Sequence, residues 1–194
     1  GLLVHYADPA GQAPAEVGWG RAPVIEPDAE IPEKAPLLFQ GELAPGTFLR
    51  ADLAPPEGGY KSAVRIKATF CYFPPVARLD PAAYSRAALN ISFVPDMNAP
   101  SDQDGRPPGL PFFDADGGQL DEDQDPEAVL WANVKSNAND FRGEILKAPC
   151  FDIRYVDRSG AGESPPAGSG ESKPTDSNDS KPVGYCLVVT VTEA

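Results

Sequence analysis

The hydrophobic positions of this chain recur at every second residue in short runs, and proline or glycine separates the runs. The clearest alternation covers residues 63–72, with apolar side chains at the even positions and mostly polar ones at the odd positions. A period of two places successive side chains on opposite faces of a β-strand. The run therefore predicts a strand that buries one face and leaves the other in water, and this wet face carries Arg65, Lys67, Thr69 and Cys71.

Six further runs have the length and composition of short strands. They are PLLFQGEL and TFLRADL within residues 36–56, and then residues 89–93, 127–137, 150–156 and 183–192. The first two flank Ala44-Pro45-Gly46, a composition typical of a tight turn, and so predict a β-hairpin. The last run is apolar on both faces and rich in β-branched residues, which predicts a central strand of a sheet.

Helix is a minor expectation. Residues 80–88 predict a turn or two of helix, with Asp80 as the N-cap and Pro81 at the first helical position. Residues 2–7 form a short apolar run that fits either a strand or the last turns of a helix. Many short strands with so little helix predict an all-β fold, an antiparallel β-sandwich. The pattern does not fix the strand order, and a jelly roll is one arrangement that fits it.

Changes in amino-acid composition along the chain suggest three parts. Residues 1–21 differ from the rest, residues 22–36 are a proline-rich and acidic linker or strap, and residues 37–194 are the sandwich. The sandwich has polar insertions at 96–125 and 158–182. We expect Leu110, Phe112 and Phe113 to pin the first insertion to the body. The second has no large apolar residue, so it predicts a mobile loop between strands that are neighbours in space.

The charge of the chain narrows the class of partner. Sixteen Lys and Arg residues against 29 Asp and Glu residues give a formal net charge of −13. This charge repels phosphate backbones and anionic lipid, so we expect neither a nucleic-acid nor a membrane partner. The three cysteines, Cys71, Cys150 and Cys186, form no CxxC pair. They predict buried free thiols, which favours a reducing compartment such as the cytoplasm.

The single histidine, His5, is the only candidate for a general base of the imidazole type. A serine or cysteine nucleophile needs such a base, but the chain has no G-x-S-x-G turn. Gly168-Ser169-Gly170 falls in the segment predicted to be mobile, and nothing in the sequence brings His5 to a thiol. The many carboxylates lie in loops, where burial does not tune them for glycoside hydrolysis. We therefore predict no catalytic residue here and a structural His5, either packed or at the surface.

The densest acidic segment, DADGGQLDEDQD, is the one candidate metal site. Alternating aspartates around glycine can converge on calcium, which prefers oxygen ligands. The candidate ligands are Asp114, Asp116, Asp121, Asp123 and Asp125. The segment departs from the EF-hand pattern, with Gln119 at the glycine position and Asp125 in place of the final glutamate. A solvated acidic loop is the alternative. Candidates for stacking on a sugar are Tyr60, Tyr84, Phe112, Phe113 and Trp131, with core packing as the alternative.

The opening stretch LLVHYA, followed after a spacer by VGWGR, resembles the end of the catalytic domain of subtilisin-like serine peptidases. In that family a late helix of the form L-L-x-x-x-A precedes a glycine-bracketed aromatic. Leu2, Leu3 and Ala7 match the helix, and the turn is matched by Gly18, Trp19 and Gly20, a structural seam. The glycines allow a backbone path that side chains would block. The blocks APGTFLRADL, YKSAVRIKATFCYFPPV, YSRAALNISFVPD and VGYCLVVTVTEA resemble the β-rich C-terminal domain attached to bacterial members.

The resemblance implies that residues 1–21 are the tail of a catalytic domain whose Asp, His and Ser triad precedes Leu2. The chain is then expected to be inactive alone, as an accessory domain that stabilises the protease domain or shapes the access of protein substrates. Its partners would be the parent's own protease domain and the parent's protein substrates. Two alternatives stay open: an independent calcium-assisted carbohydrate- or protein-binding module, and a free-standing structural protein.

Overall fold

The computed structural model describes residues 2–7, 35–74, 87–101, 107–113, 132–157 and 181–193. Within these ranges the chain forms one short α-helix, seven strands and a 3-10 turn at Gly143–Ile145. The elements are α1 (Leu2–His5), β1 (Leu37–Leu43), β2 (Phe48–Asp52), β3 (Ala63–Phe73), β4 (Ala87–Val94), β5 (Val134–Arg142), β6 (Cys150–Asp157) and β7 (Val183–Glu193). A bilayer-spanning helix, long and apolar, is not found in these ranges.

The strands form two antiparallel sheets. One sheet has the order β1-β7-β3-β5 and the other has the order β2-β6-β4. Their inward side chains pack into a single core, in which Phe70, Leu89, Phe93, Ile153 and Leu187 are fully buried. The all-β prediction of an antiparallel β-sandwich is therefore confirmed, while the jelly-roll order and the division into three parts stay predictions.

The alternation of residues 63–72 gave the core positions of β3 correctly. Val64, Ile66, Ala68, Phe70 and Tyr72 are each at most 2% exposed. The run at 183–192 is also confirmed as central, because β7 lies between β1 and β3. Leu187 and Val189 on one face of β7 and Val188 on the other are all fully buried, which explains the apolar residues on both faces of this strand.

The predicted hairpin at residues 36–56 is wrong. β1 pairs with β7 and β2 pairs with β6, so the turn after Leu43 carries the chain from one sheet to the other. The turn itself is as expected: Thr47 donates from its backbone N–H and its hydroxyl to the Ala44 carbonyl, and Gly46 has a φ of 73°. The composition of a turn predicts that the chain changes direction there. Which strand each flanking strand pairs with depends on residues far away in the sequence.

Three other expectations are corrected. Ala87 and Ala88, the end of the expected helix, are buried residues at the start of β4; residues 80–86 lie outside the described residues. The strand expected at 127–137 begins only at Val134, as β5, and continues to Arg142 through polar residues that weakened its hydrophobic pattern; residues 127–131 lie outside the described residues. The insertion at 158–182 connects β6 and β7, which belong to different sheets and do not pair.

The first insertion is anchored as expected at Phe112, whereas the Leu110 side chain is 41% exposed and this residue meets the body through backbone hydrogen bonds with Phe93. The Phe112 side chain is 1% exposed and packs among Phe93, Phe141 and Phe151, with ring centroids 5.0–6.3 Å from its own. The Phe112 carbonyl also accepts hydrogen bonds from the side-chain amides of two β5 residues, Asn137 and Asn139. The polar residues that obscured β5 in the sequence thus hold this anchor.

Candidate functional site

The helix α1 lies on the outer face of the four-stranded sheet through His5. The imidazole is 1% exposed. Its Nδ1 lies 3.0 Å from the Thr69 hydroxyl of β3, and its Nε2 lies 2.8 Å from the Thr190 hydroxyl of β7. The Thr69 hydroxyl in turn lies 2.7 Å from the hydroxyl of Ser136 on β5. Of the two positions left open for His5, packed and surface, the structure shows the packed one.

The electrostatics of His5 are those of a neutral imidazole. Burial lowers its pKa to about 4, and the positive charge of Lys67 adds to the effect. A neutral ring has one donor and one acceptor nitrogen, and a threonine hydroxyl can serve either, so both ring nitrogens are satisfied. A general base works best with a pKa near the operating pH and with access to the reacting group. His5 has neither, although serine and threonine hydroxyls surround it.

The predicted wet face of β3 is partly wrong, because α1 covers it. Thr69 is 0% exposed and Cys71 is 6% exposed, although both lie on the side away from the core. Register places Leu38, Val188, Thr69 and Ser136 in one row across the four strands. Val188 is also fully buried, and exposed apolar side chains border this covered face at Leu2, Tyr6 and Leu38. The covered face is the outer surface of the four-stranded sheet around His5, which includes Thr69, Ser136, Val188 and Thr190.

The three thiols are free, as predicted; Cys71 and Cys150 are also buried as predicted, whereas Cys186 is only half-buried. Burial raises the pKa of Cys150 to about 11, and the charges of Asp52 and Asp152 add to it. Burial also raises the pKa of Cys186. A nucleophilic cysteine needs a lowered pKa, so the environment of these two thiols favours the protonated, structural form.

The opposite outer face, on the three-stranded sheet, carries a second arrangement. Register aligns Phe48, Arg154 and Asn90 in one row across β2, β6 and β4. The next row is Arg50, Asp152 and Ser92. We call these six residues the polar face. Inward neighbours such as Ala51 and Ile153 are buried in the core, so the alternation of each strand directs the six side chains outward.

Two pockets lie on the polar face and share Arg154. The first, of about 250 Å³, is lined by Gly46, Thr47, Phe48, Arg50, Arg154 and Tyr155. The second, of about 210 Å³, is lined by Asn90, Ser92, Val94, Pro107, Gly109, Asp152 and Arg154. One pocket therefore combines two guanidinium groups with aromatic rings, and the other combines an amide, a hydroxyl and a carboxylate.

The two arginines of the polar face are held differently. Arg154 donates from Nε and Nη2 to Oδ2 of Asp152, whose side chain is only 9% exposed. Arg50 lies over the ring of Phe48, with the guanidinium carbon 5.7 Å from the ring centroid. Among the described residues no carboxylate oxygen lies within 4.0 Å of the Arg50 guanidinium. Arg50 and the remaining donors of Arg154 are thus available to a ligand.

The calcium ligands and the glycine-bracketed aromatic turn proposed from the sequence lie outside the described residues. The calcium candidates are Asp114, Asp116, Asp121, Asp123 and Asp125, and the turn is Gly18, Trp19 and Gly20. No family model matches the chain, and the comparisons with curated proteins and with solved structures gave no match. The subtilisin-like resemblance therefore stays a prediction.

Sequence reasoning missed the polar face. Each of its strands shows polar residues two apart, namely Arg50 and Asp52, Asn90 and Ser92, and Asp152 and Arg154. This spacing predicts a solvent-facing side for each strand. Only the order of the strands in the sheet shows that the three pairs of residues lie side by side. Of the proposed sugar-stacking aromatics, Phe112 belongs to the core, while Phe48, which lines the first pocket, was not proposed.

Proposed function

We propose that this chain is the non-catalytic C-terminal accessory domain of a subtilisin-like serine endopeptidase, and that it stabilises the catalytic domain by binding its last helix. The motif order LLVHYA, VGWGR and then a β-rich block supports the assignment. So does the environment of His5, which offers no accessible base and leaves catalysis to an upstream triad.

The observation that carries the proposal is the docking of α1. If residues 2–7 are the end of the catalytic domain, then the contacts of His5 with Thr69 and Thr190 lie at the interface between the two domains. A buried side chain bonded at both ring nitrogens fixes the position of a helix on the sheet more tightly than an exposed contact does. The accessory domain would then hold the last helix of the protease in place.

The exposed apolar residues beside α1 fit the same proposal. Leu2, Tyr6 and Leu38 are 47%, 38% and 49% exposed, and they border the covered face. Burial of such side chains against a partner would favour association through the hydrophobic effect. A catalytic domain preceding Leu2 would meet the sandwich on this side, because α1 leads the chain onto it.

The test compares the full-length parent with a version that ends after Arg21. We expect the truncated enzyme to inactivate at a lower temperature, with a larger loss of activity on a folded protein than on a short peptide. In the full-length parent, His5→Ala should reproduce the loss of thermal stability, whereas Phe73→Ala, at a side chain 74% exposed on β3, should not. Unchanged stability and unchanged activity on both substrates would contradict the proposal, as would an upstream coding sequence without a triad.

A binding module is the second candidate function, and the polar face favours it. Arg50, Arg154, Asn90 and Asp152 converge on two neighbouring pockets there, and convergent polar groups can fix the orientation of a ligand. The calcium part of this candidate rests on Asp114, Asp116, Asp121, Asp123 and Asp125. Calorimetric titration of the chain with calcium, followed by a glycan array with and without it, tests this candidate. Absence of both heat and array signals would remove it.

A further inference from the structure

We propose that the polar face binds an acidic saccharide, with the carboxylate of one uronate unit between Arg50 and Arg154. This proposal gives the binding-module candidate a ligand and a site. It does not depend on the peptidase assignment, because the polar face and the covered face lie on opposite sheets of the sandwich.

The positions of the two arginines indicate a carboxylate. Arg50 lies opposite Asp152 in the register, so it is the diagonal neighbour of Arg154 two residues further along β6. Long side chains at diagonal positions can reach one another across a sheet, and Arg50 and Arg154 both line the same pocket of about 250 Å³. The planar guanidinium fork matches the two oxygens of a carboxylate. Phe48 orients Arg50, and Asp152 orients Arg154, before any ligand arrives.

The surrounding charge favours a monoanion over a phosphate group. Asp152 is bonded to Arg154, and Asp52 lies on the same face near enough to raise the pKa of Cys150. The formal charges of these two carboxylates and of the two arginines sum to zero. The net charge of −13 adds a repulsion that grows with the charge of the ligand. A single carboxylate therefore fits the site better than a doubly charged phosphate.

The second pocket indicates a hydroxylated ligand. Asn90 supplies an amide, Ser92 a hydroxyl and Asp152 a carboxylate, so the lining offers both donors and acceptors. Each of the two pockets is smaller than the roughly 300 Å³ at which sites for drug-sized ligands begin. Two small pockets that meet at Arg154 match two linked rings better than one large ligand.

An extended peptide fits this site less well. Peptides that add to a sheet bind at an edge strand, where backbone N–H and C=O groups are free. The polar face is centred on β6, which is paired on one side with β2 and on the other with β4. Recognition here must come from side chains, and the second pocket supplies only polar groups and small apolar ones.

The experiment titrates the 194-residue chain with four probes at low ionic strength and follows binding by NMR or calorimetry. The probes are sodium glucuronate, glucose, N-acetylglycinate and sodium sulfate. We expect saturable binding of glucuronate, with glucose, N-acetylglycinate and sulfate each at least tenfold weaker. Glucose binding as tightly as glucuronate would overturn the role of the carboxylate. N-acetylglycinate, a monocarboxylate without a sugar ring, binding as tightly would overturn the saccharide assignment, and sulfate binding as tightly would overturn the preference for a single negative charge.

The variants assign the binding to the site. Arg50→Gln should weaken glucuronate binding at least tenfold and leave the urea midpoint of unfolding unchanged. Arg65→Gln is the matched control, because Arg65 is an exposed arginine on the other sheet, paired with Asp140. Equal affinities of the Arg50→Gln variant and the unaltered chain would overturn the proposal. Failure here leaves the thermal inactivation test of the peptidase parent untouched, so the two proposals fail separately.

Discussion

The covered face and the polar face are the two outer surfaces of the same sandwich, and both are made by the outward residues of regular strands. Around His5 the outward residues of the four-stranded sheet are hydroxyl-bearing or apolar, and Thr69 and Val188 are fully buried, whereas Arg65 and Asp140 stay exposed further along the same surface. On the polar face Phe48 stays 62% exposed and Arg50 is exposed as well. The covered face holds a neutral histidine, whereas the polar face holds charged arginines.

The comparison shows what decides the use of an outer sheet face. Small hydroxyl side chains lie flat on a sheet and allow a helix to approach, and they can satisfy a buried imidazole. Arginines and carboxylates are costly to desolvate, so a face that carries them stays open to water or to a complementary ligand. We infer that the covered face serves a protein contact and the polar face serves a small polar ligand.

Removing the imidazole tests the covered face most strongly. We expect His5→Ala to lower the free energy of unfolding of the chain by about 3 kcal/mol, because it leaves a void and two hydroxyls without a partner. Leu2→Ala, on the same helix at a side chain 47% exposed, should cost well under about 1 kcal/mol. Urea unfolding followed by circular dichroism of the β-sheet signal measures both. Similar losses for the two variants would show that His5 does not dock α1.

Low pH should reduce the free energy of unfolding of the chain through protonation of His5. The pKa of His5 is lowered in the folded chain from 6.5 to about 4, so the unfolded chain binds the proton first as pH falls. The contribution of His5 is complete above pH 6.5 and is lost as pH falls toward 4, by up to about 3 kcal/mol. His5→Gln cannot titrate, so the difference in stability between the two chains should depend on pH in this window. A constant difference would contradict the burial of a neutral imidazole.

The ion pair of Asp152 and Arg154 on the polar face should contribute less to the free energy of unfolding than His5 does. Asp152→Asn removes the negative charge that pairs with Arg154, whose side chain is 31% exposed. We expect the free energy of unfolding to fall by about 1–2 kcal/mol. Asp52→Asn is the control, because Asp52 lies outward on the same sheet and is exposed. Urea midpoints of the two variants decide the matter, and a loss no greater for Asp152→Asn than for the control would remove its structural role.

The smallest effect is expected at the exposed ion pair of Arg65 and Asp140. Their side chains are 60% and 67% exposed, with Nη1 and Oδ2 3.1 Å apart. Solvent and salt screen such a pair, so Asp140→Asn should cost at most about 0.5 kcal/mol. Thermal unfolding at low and high salt measures it. A loss as large as that of Asp152→Asn would mean that exposure does not separate the two pairs.

The sequence predicted the inward half of the fold better than the outward half. The alternation of β3 identified its core side chains, because burial against the opposite sheet imposes a period of two. The same alternation placed Thr69 in water, since nothing local reveals that His5, 64 residues earlier, covers it. The false hairpin has a similar cause: β1 and β2 each found a partner more than 90 positions away in the sequence.

The sequence also predicted one of the two candidate sites better than the other. His5 drew attention as the only histidine, and its structural role was expected, but its two threonine partners could not be. The polar face escaped notice because each strand contributes only two or three ordinary polar residues. Their meaning depends on the order β2-β6-β4, which places Arg50 and Arg154 in one pocket.

The docking of α1 through His5 is the central claim, and one titration tests it directly. The chain has a single histidine, so the imidazole resonances in an NMR spectrum belong to His5 without further assignment. Followed from pH 8 to pH 3, they should show one fixed tautomer and a titration midpoint near pH 4. A midpoint near 6.5, the value of a free histidine, would show that His5 is in water and that α1 does not cover the sheet.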